Sequence, residues 1–373
     1  MKVAGLSTFE GQRMAELQEL LQYLMEMRGS DLYVKAGAPP HVRIDGRLHV
    51  APFAPVDLAQ TRLLAEEVVP AHRAEDLEHR GEVDFALSVS GVGRFRVHVY
   101  RQRGSLALVF RRVMPGIPSW EQLGLPPAIE RVVADGRGLV LVTGPAGCGK
   151  TTTMNALVDH INESRAAHIV TIEDPVEYLH VDKQSIISQR EVGTDTLDFG
   201  EAVRRALRQG PDVLVISDVN DLATLEAMLA AASTGHLVLA TLPTSGAAET
   251  ISWLIDFYPP HLHKQARHLL ATALRAVVSQ RLLERADGKG RTAAVELLVS
   301  TPKVYDCILD PDREAALERI IAEGEYHGMQ TFDQALFQLF KDGLVSLRDA
   351  LSVASQPEDL RIALQQAGLS PTY

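Results

Sequence analysis

Gly138-Leu-Val-Leu-Val-Thr143 followed by Gly144-Pro-Ala-Gly-Cys-Gly-Lys-Thr151 decides the fold of this chain. The first six residues read as a short buried strand. The next eight match G-x-x-x-x-G-K-[ST], the loop that wraps nucleotide phosphates. Thr152 to His160 has no Gly or Pro and reads as the opening of a helix. Gly144, Gly147 and Gly149 carry no Cβ, so the loop can curl and turn successive N–H groups inward. The helix that follows adds unpaired N–H groups and a positive dipole end. Lys150 is expected to reach the β- and γ-phosphates. The Thr151 hydroxyl suits Mg²⁺, a hard cation that takes oxygen ligands. The nucleotide-binding set is Gly144, Pro145, Ala146, Gly147, Cys148, Gly149, Lys150, Thr151 and Thr152. A thiol at a helix N-terminus can have a lowered pKa, but Cys148 reads better as a small loop residue.

Working outward, the pattern alternates. Apolar strands are expected at 138–143, 167–172, 212–216 and 236–241, with helices between them, including Phe199 to Gln209 and Leu222 to Ser233. That alternation implies an α/β fold with a mostly parallel sheet. A capping box at Ser119-Trp-Glu-Gln122 opens this region. From His261 onward the chain reads as largely helical, including Phe332 to Lys341 and Pro357 to Gln366. His261, His263 and His268 lack zinc-ligand spacing and read as an exposed helix.

The N-terminal part has a different pattern. Glu10 to Arg28 carries apolar residues at helical spacing. Strands are expected at Asp31 to Lys35, His41 to Ile44 and Arg47 to Val50, the last two joined by an Asp45-Gly46 hairpin turn. A second helical region spans Leu58 to Glu78. Val83 to Val89, Arg94 to Tyr100 and Ala107 to Val113 form a strand meander. The expected organisation is an N-terminal α+β domain over 1–113, a linker over 114–118 (Met-Pro-Gly-Ile-Pro), and a nucleotide-binding domain with a helical C-terminal region over 119–373.

Composition narrows the class. The chain has 373 residues, 46% of them hydrophobic, and a net charge of −11. The acidic balance argues against a nucleic-acid partner, which calls for a basic footprint. Two cysteines, Cys148 and Cys307, point to a reducing compartment. The N-terminus does not read as a signal peptide, and no apolar run reaches the ~20 residues needed to span a bilayer. The expected location is the cytoplasm, with any membrane connection made through partners.

Acidic residues cluster where the strands end. Ile172-Glu-Asp-Pro-Val-Glu177 places Glu173 and Glu177 just past the second strand, able to position water, orient Mg²⁺ or act as a base. The third strand ends at Ser217-Asp218, where such proteins place the carboxylate of the Mg²⁺ shell. His236, before the fourth strand, can sense a phosphate or cap a core strand. Arg94 and Arg96 project from one strand face of the N-terminal domain, with Arg111 and Arg112 nearby. Both a solvated face and phosphate contact fit these arginines.

Together these segments resemble the secretion and pilus ATPases, specifically the type IV pilus retraction ATPases of the PilT/PilU family. Gly144–Thr151 resembles the Walker A loop, Thr171-Ile-Glu-Asp-Pro-Val-Glu177 the acidic box, Gly210 to Asp218 the Walker B segment, and Thr234-Gly-His-Leu-Val238 the start of the histidine box. Further matches are Ser30-Asp-Leu32, Gly93-Arg-Phe-Arg-Val97, Gln189-Arg-Glu-Val192 and Gly328-Met-Gln-Thr-Phe-Asp333. Asp287-Gly-Lys-Gly-Arg291, Phe332-Asp-Gln-Ala335 and Asp359-Leu-Arg361 favour the PilU-like branch.

The resemblance implies a PAS-like N-terminal domain and a RecA-like P-loop ATPase domain, assembled as a homo-hexamer that hydrolyses ATP with Mg²⁺ to drive pilus retraction. It implies Glu177 as the general base or water-positioning carboxylate, Glu173 beside it, Asp218 as the Walker B acid and metal ligand with Thr151, and Arg94, Arg96 and Arg111 reaching the nucleotide. It also places His236 at the nucleotide. Implied partners are a paralogous retraction ATPase and an inner-membrane pilus platform protein. The chain departs from the family pattern in four places. Ser217-Asp218 stands where the family has Gly-Glu, Asn220 where it has Arg, and Pro243 where it has the second histidine of the histidine box. Lys303 to Asp310 lacks the family's basic retraction motif. These changes favour nucleotide binding over fast turnover, and an accessory subunit with little turnover is the alternative function.

Overall fold

The computed structural model describes residues 17–44, 46–113 and 116–369. The start of the Glu10–Arg28 helix, Asp45 of the hairpin turn, and Met114 and Pro115 of the linker lie outside the described residues. The chain divides into two compact units: residues up to Gly116 together with Pro175–Leu179, and Ile117–Asp174 with everything from His180 onward.

In the first unit, helix α1 covers 17–26. Strands β1 (Asp31–Lys35), β2 (His41–Ile44) and β3 (Arg47–Val50) follow, then α2 (Leu58–Val68) and α3 (Ala74–Arg80). Strands β4 (Glu82–Val89), β5 (Gly93–Gln102) and β6 (Ser105–Arg112) complete an antiparallel sheet of order β3-β2-β1-β6-β5-β4. Period-2 alternation sends Phe95, Val97 and Val99 inward against Leu17, Leu21 and Leu24 of α1 and Leu64 and Val68 of α2. The other face carries Arg94, Arg96 and His98. The single helical region expected over 58–78 is broken in two. Pro70 offers no N–H and drives Val69 extended (φ −70°, ψ 119°), so α2 stops at Val68.

The second unit opens with α4 (Trp120–Leu123), whose Ser119 and Gln122 form the expected capping box, and α5 (Ala128–Ala134). Strand β7 (Gly138–Thr143) leads through the glycine loop into α6 (Lys150–Ser164). Then come β8 (His168–Glu173), β9 (Ile186–Glu191), α7 (Phe199–Ala206), β10 (Val213–Ile216), α8 (Leu222–Ser233), β11 (Leu237–Leu242), α9 (Ala247–Asp256) and α10 (His263–Ala273). Strands β12 (Leu274–Glu284) and β13 (Arg291–Val299) precede α11 (Pro302–Leu309), α12 (Leu317–Ala322), α13 (Phe332–Lys341), α14 (Leu347–Val353) and α15 (Pro357–Gln366).

The sheet runs β13-β12-β7-β11-β10-β8-β9, parallel except for the edge strand β13. Alternate strand residues feed two cores. Leu139, Leu141, Leu214, Ile216, Val238 and Ala240 face one, while Val140, Val142, Val213, Val215, Leu237 and Leu239 face the other. Burial on both faces is why these strands read as unbroken apolar runs. From His261 onward helices dominate, as expected, but residues 274–299 interrupt them with a β-hairpin that the sequence pattern does not show. Strand β12 is buried along most of its length, so its sequence lacks the alternation that marks a half-exposed strand. The parallel strand β9 adds a further strand that the sequence pattern does not mark.

Candidate active site

Because the five strands from β7 to β9 are parallel, their C-terminal ends share one edge, where α/β sheets bind ligands. Register locates the side chains. Leu141, Ala240, Ile216 and Ile172 form one row across β7, β11, β10 and β8. Thr143 and Asp218 stand two residues past that row and Glu173 one. At ~4.8 Å per strand, Asp218 lies ~10 Å to the side of the strand that feeds the loop.

The loop's shape requires its glycines. Gly144 has φ +145°, and a Cβ there would come within 2.4 Å of the Cys148 sulfur and 2.6 Å of the Gln280 carbonyl oxygen. Gly147 (φ +77°) and Gly149 (φ +95°) occupy the region that side chains rarely adopt. Lys150, the first residue of α6, donates its Nζ to the Gly144 and Pro145 carbonyls at 2.7 and 3.0 Å, which folds the ammonium over the loop. Pro145, Ala146 and Gly147 are exposed, while Thr151 and Thr152 are half-buried at the head of the helix. Glycine φ values, an ammonium in the loop and a hydroxyl at the helix start fit a Mg²⁺-bound nucleoside triphosphate. Cys148 is buried, and that burial pushes its thiol up from the usual value, against the pull of Lys150. It is a packed loop residue, not an activated thiolate.

Strand β12 braces the loop from beneath. Thr143 donates its hydroxyl to Ser279 at 2.9 Å, and Gln280 Nε2 donates to the Thr153 hydroxyl at 2.9 Å, all of them buried. The sequence alone does not reveal this support. Its trace there is two polar residues, Ser279 and Gln280, inside an apolar run.

At the same edge, burial pushes the Asp218 carboxyl above its ordinary value, while the neighbouring Lys150 charge and a backbone hydrogen bond pull it down. Asn220 Nδ2 contacts Asp218 at 3.4 Å. Glu173 is 4% exposed and accepts from the Thr171 hydroxyl at 2.6 Å and Gln189 Nε2 at 3.0 Å. Pro243 follows β11 at this edge and is exposed.

His236 is not brought to the loop. It precedes β11, at the opposite edge of the sheet. Its Nδ1 lies 3.0 Å from the Ala231 carbonyl and 3.1 Å from the Thr234 hydroxyl, and its carbonyl accepts the Gly138 N–H. The six residues of β11 separate the two edges by ~20 Å. Within this chain His236 closes the end of α8 and starts a strand, so its assignment to the nucleotide is corrected.

Glu177 and the three arginines gather in the first unit. Arg96 and Arg111 stand opposite each other on β5 and β6, with Asp31 opposite Arg111 and Arg43 opposite Asp31. Two like charges directly opposed repel, so the row needs anions. Asp31, 2% exposed, accepts from Arg111 Nε at 2.7 Å, and that bond holds the Arg111 guanidinium above its ordinary value. Glu177 accepts from Arg96 Nη1 at 3.0 Å. Arg94 Nη1 donates to the Ser88 hydroxyl at 3.1 Å. Cys307 is a buried free thiol, and among the described residues no group of three or more His, Cys, Asp or Glu could hold a metal ion. Among them, too, no helix is long and apolar enough to cross a membrane.

Known proteins are similar to this chain in sequence and fold. Residues 119–350 match the family described as type II/IV secretion system protein. The type IV pilus ATPase PilU of Pseudomonas aeruginosa is 38% identical over 350 residues, covering 94% of this chain and 91% of that protein. The type IV pilus retraction ATPase PilT of the same organism is 39% identical over 344 residues, covering 92% and 99%. The crystal structure of the pilus retraction motor PilT with bound ADP superposes with a TM-score of 0.85 at 41% identity, covering 92% of this chain and 98% of that one. This chain belongs to the type II/IV secretion system protein family and, within it, to the type IV pilus ATPases of the PilT/PilU group.

Proposed function

We propose that this chain is an ATP-hydrolysing motor subunit that drives type IV pilus retraction as a homo-hexamer. The observation that carries the reading is the phosphate loop, with Lys150 and Thr151 at the head of α6 and Asp218 and Glu173 at the same sheet edge. Solved PilT with ADP supports it. Mg·ATP is the substrate. Thr151 and Asp218 would hold the metal, which neutralises phosphate charge when bound. The loop N–H groups and Lys150 hold the phosphates. Glu177 positions and deprotonates the attacking water, Glu173 supports the acidic segment, and Arg94, Arg96 and Arg111 neutralise charge that develops on the γ-phosphoryl group.

In this reading residues 1–113 form a PAS-like domain, 114–118 the linker and 119–373 the RecA-like domain. The motor works in the cytoplasm at the inner-membrane face, against a pilus platform protein and beside a paralogous retraction ATPase. Nucleic acid is not a partner. Steady-state hydrolysis with Mg²⁺ tests the enzyme reading: wild-type turnover no higher than that of Lys150→Ala would sink it.

A second reading is an accessory subunit that binds nucleotide and turns it over slowly. Asp218, one methylene shorter than glutamate, and the non-titratable Pro243 favour it, as does the Arg96 partner on Glu177. It expects Asp218→Glu with Pro243→His to raise turnover. No gain would remove those two sites as the cause.

A further inference from the structure

Three side chains with no part in the chemistry above lie between the head of α6 and the end of β8. Asn155, one turn beyond Thr151, is 5% exposed and donates its Nδ2 to the Thr151 carbonyl at 2.8 Å. That bond orients the amide and turns Oδ1 toward His180, whose Nε2 lies 2.7 Å away. An acceptor at that distance assigns a ring proton to Nε2 of His180. Its Nδ1 is buried without a partner among the described residues. The His180 backbone N–H donates to Gln189 Oε1 at 2.9 Å, and Gln189 Nε2 donates to Glu173 at 3.0 Å. A continuous chain of hydrogen bonds therefore runs from the Thr151 carbonyl to the Glu173 carboxylate, through α6, His180, β9 and β8.

His180 is also the first residue of the second unit after Pro175–Leu179, the segment that carries Glu177 and groups with the first unit. At the other end of that segment, the Asp174 N–H donates to the Ser217 hydroxyl at 3.2 Å, next to Asp218. Both ends of a five-residue segment are thus tied to the nucleotide edge. Five residues reach at most ~18 Å, so the two anchors limit where the segment can go. An apolar residue at this position would remove the unpartnered Nδ1 but leave the buried Asn155 Oδ1 without its donor, so the imidazole serves the hydrogen bond as well as the packing.

We propose that His180 is a positioning residue that couples nucleotide seating at the head of α6 to the placement of the acidic segment, reaching Glu173 through Gln189 and Glu177 through the chain it anchors. The inference rests on the proposed ATP-hydrolysing site. It is tested on the full-length protein with His180→Ala, His180→Gln and wild type.

Hydrogen exchange over residues 174–191, with and without ADP, reads the coupling directly. Wild type should gain protection with ADP. His180→Ala should lose that gain while binding ADP within about threefold of wild type, and His180→Gln, whose amide can donate to Asn155, should keep it. In steady state, His180→Ala should lower kcat about tenfold with KM changed less than about threefold, the pattern of a lost transition-state contribution. Equal ADP protection in wild type and His180→Ala, or none in wild type, overturns the proposal. So does equal loss in the Ala and Gln variants. If wild type turns over no faster than Lys150→Ala, the hydrolysis reading fails, yet the exchange comparison still decides the coupling. Should His180→Ala not fold, Asn155→Ala breaks the same chain at its other joint and is read by the same exchange pattern.

Discussion

At the residue scale, small geometric facts separate roles that chemistry alone leaves open. Gly144 is needed twice over, for its backbone angle and for the space a Cβ would occupy. Gly144→Ala should cost about 2–3 kcal/mol of stability and weaken ADP binding, measured by thermal melts and calorimetry. Adding Cys148→Ala should not restore it, because the Gln280 carbonyl that also blocks the Cβ is backbone. Glu177 bonds to Arg96 in a pair that is 36% and 43% exposed, so the ion pair itself contributes little, at most about 1 kcal/mol. Glu177→Gln should therefore leave the melting temperature nearly unchanged while turnover falls about 100-fold or more. A loss of threefold or less would leave Glu177 as the arginines' counter-ion and remove it as the base.

At the element scale, the connection from β8 through His180 to β9 carries a pH signature. Burial depresses the His180 imidazole from 6.5 to about 4, with Asp159 opposing and Lys183 adding to the shift. The unfolded chain therefore takes up a proton that the native state refuses between those values. Stability from this group is fully present above pH 6.5 and is lost as pH falls toward 4, by up to about 3 kcal/mol. Melting temperatures recorded from pH 7 to 4.5 should fall more steeply for wild type than for His180→Gln. Parallel curves would show that the buried imidazole does not contribute in this way. Elements also explain where the sequence was legible. The capping box at Ser119 and the apolar runs of β7, β8, β10 and β11 were each readable locally, because cap chemistry and two-sided burial leave a local mark. Strand β12 was not, since Val277 and Val278 beside Ser279 and Gln280 suit a buried helix as well as a buried strand, and only pairing with β7 and β13 decides.

At the scale of the whole molecule, the residues proposed for the chemistry fall in two units. The loop, Glu173 and Asp218 belong to the second. Glu177 belongs with the first, alongside Arg94, Arg96 and Arg111. A fragment of residues 117–373 retains both cores of the parallel sheet and the β12 brace beneath the loop. It should fold by circular dichroism and bind ADP within about tenfold of the full chain, while its hydrolysis falls at least about tenfold because the arginines are gone and Glu177 has lost its partner. Undiminished hydrolysis by the fragment would remove the arginines from the proposed chemistry.

The sequence by itself determined the phosphate loop, the alternating α/β pattern around it and the acidic residues past the strand ends. Each is written in local residue types: glycines where φ is positive, apolar runs where both sheet faces are covered, carboxylates after the strands. Only the tertiary structure decided that His236 sits at the far edge of the sheet, that β12 supports the loop, that Glu177 is tied to Arg96, and that Asn155, His180 and Gln189 join Thr151 to Glu173. Those depend on strand order, register and contacts between residues far apart in the chain, and no local pattern of residue types encodes them.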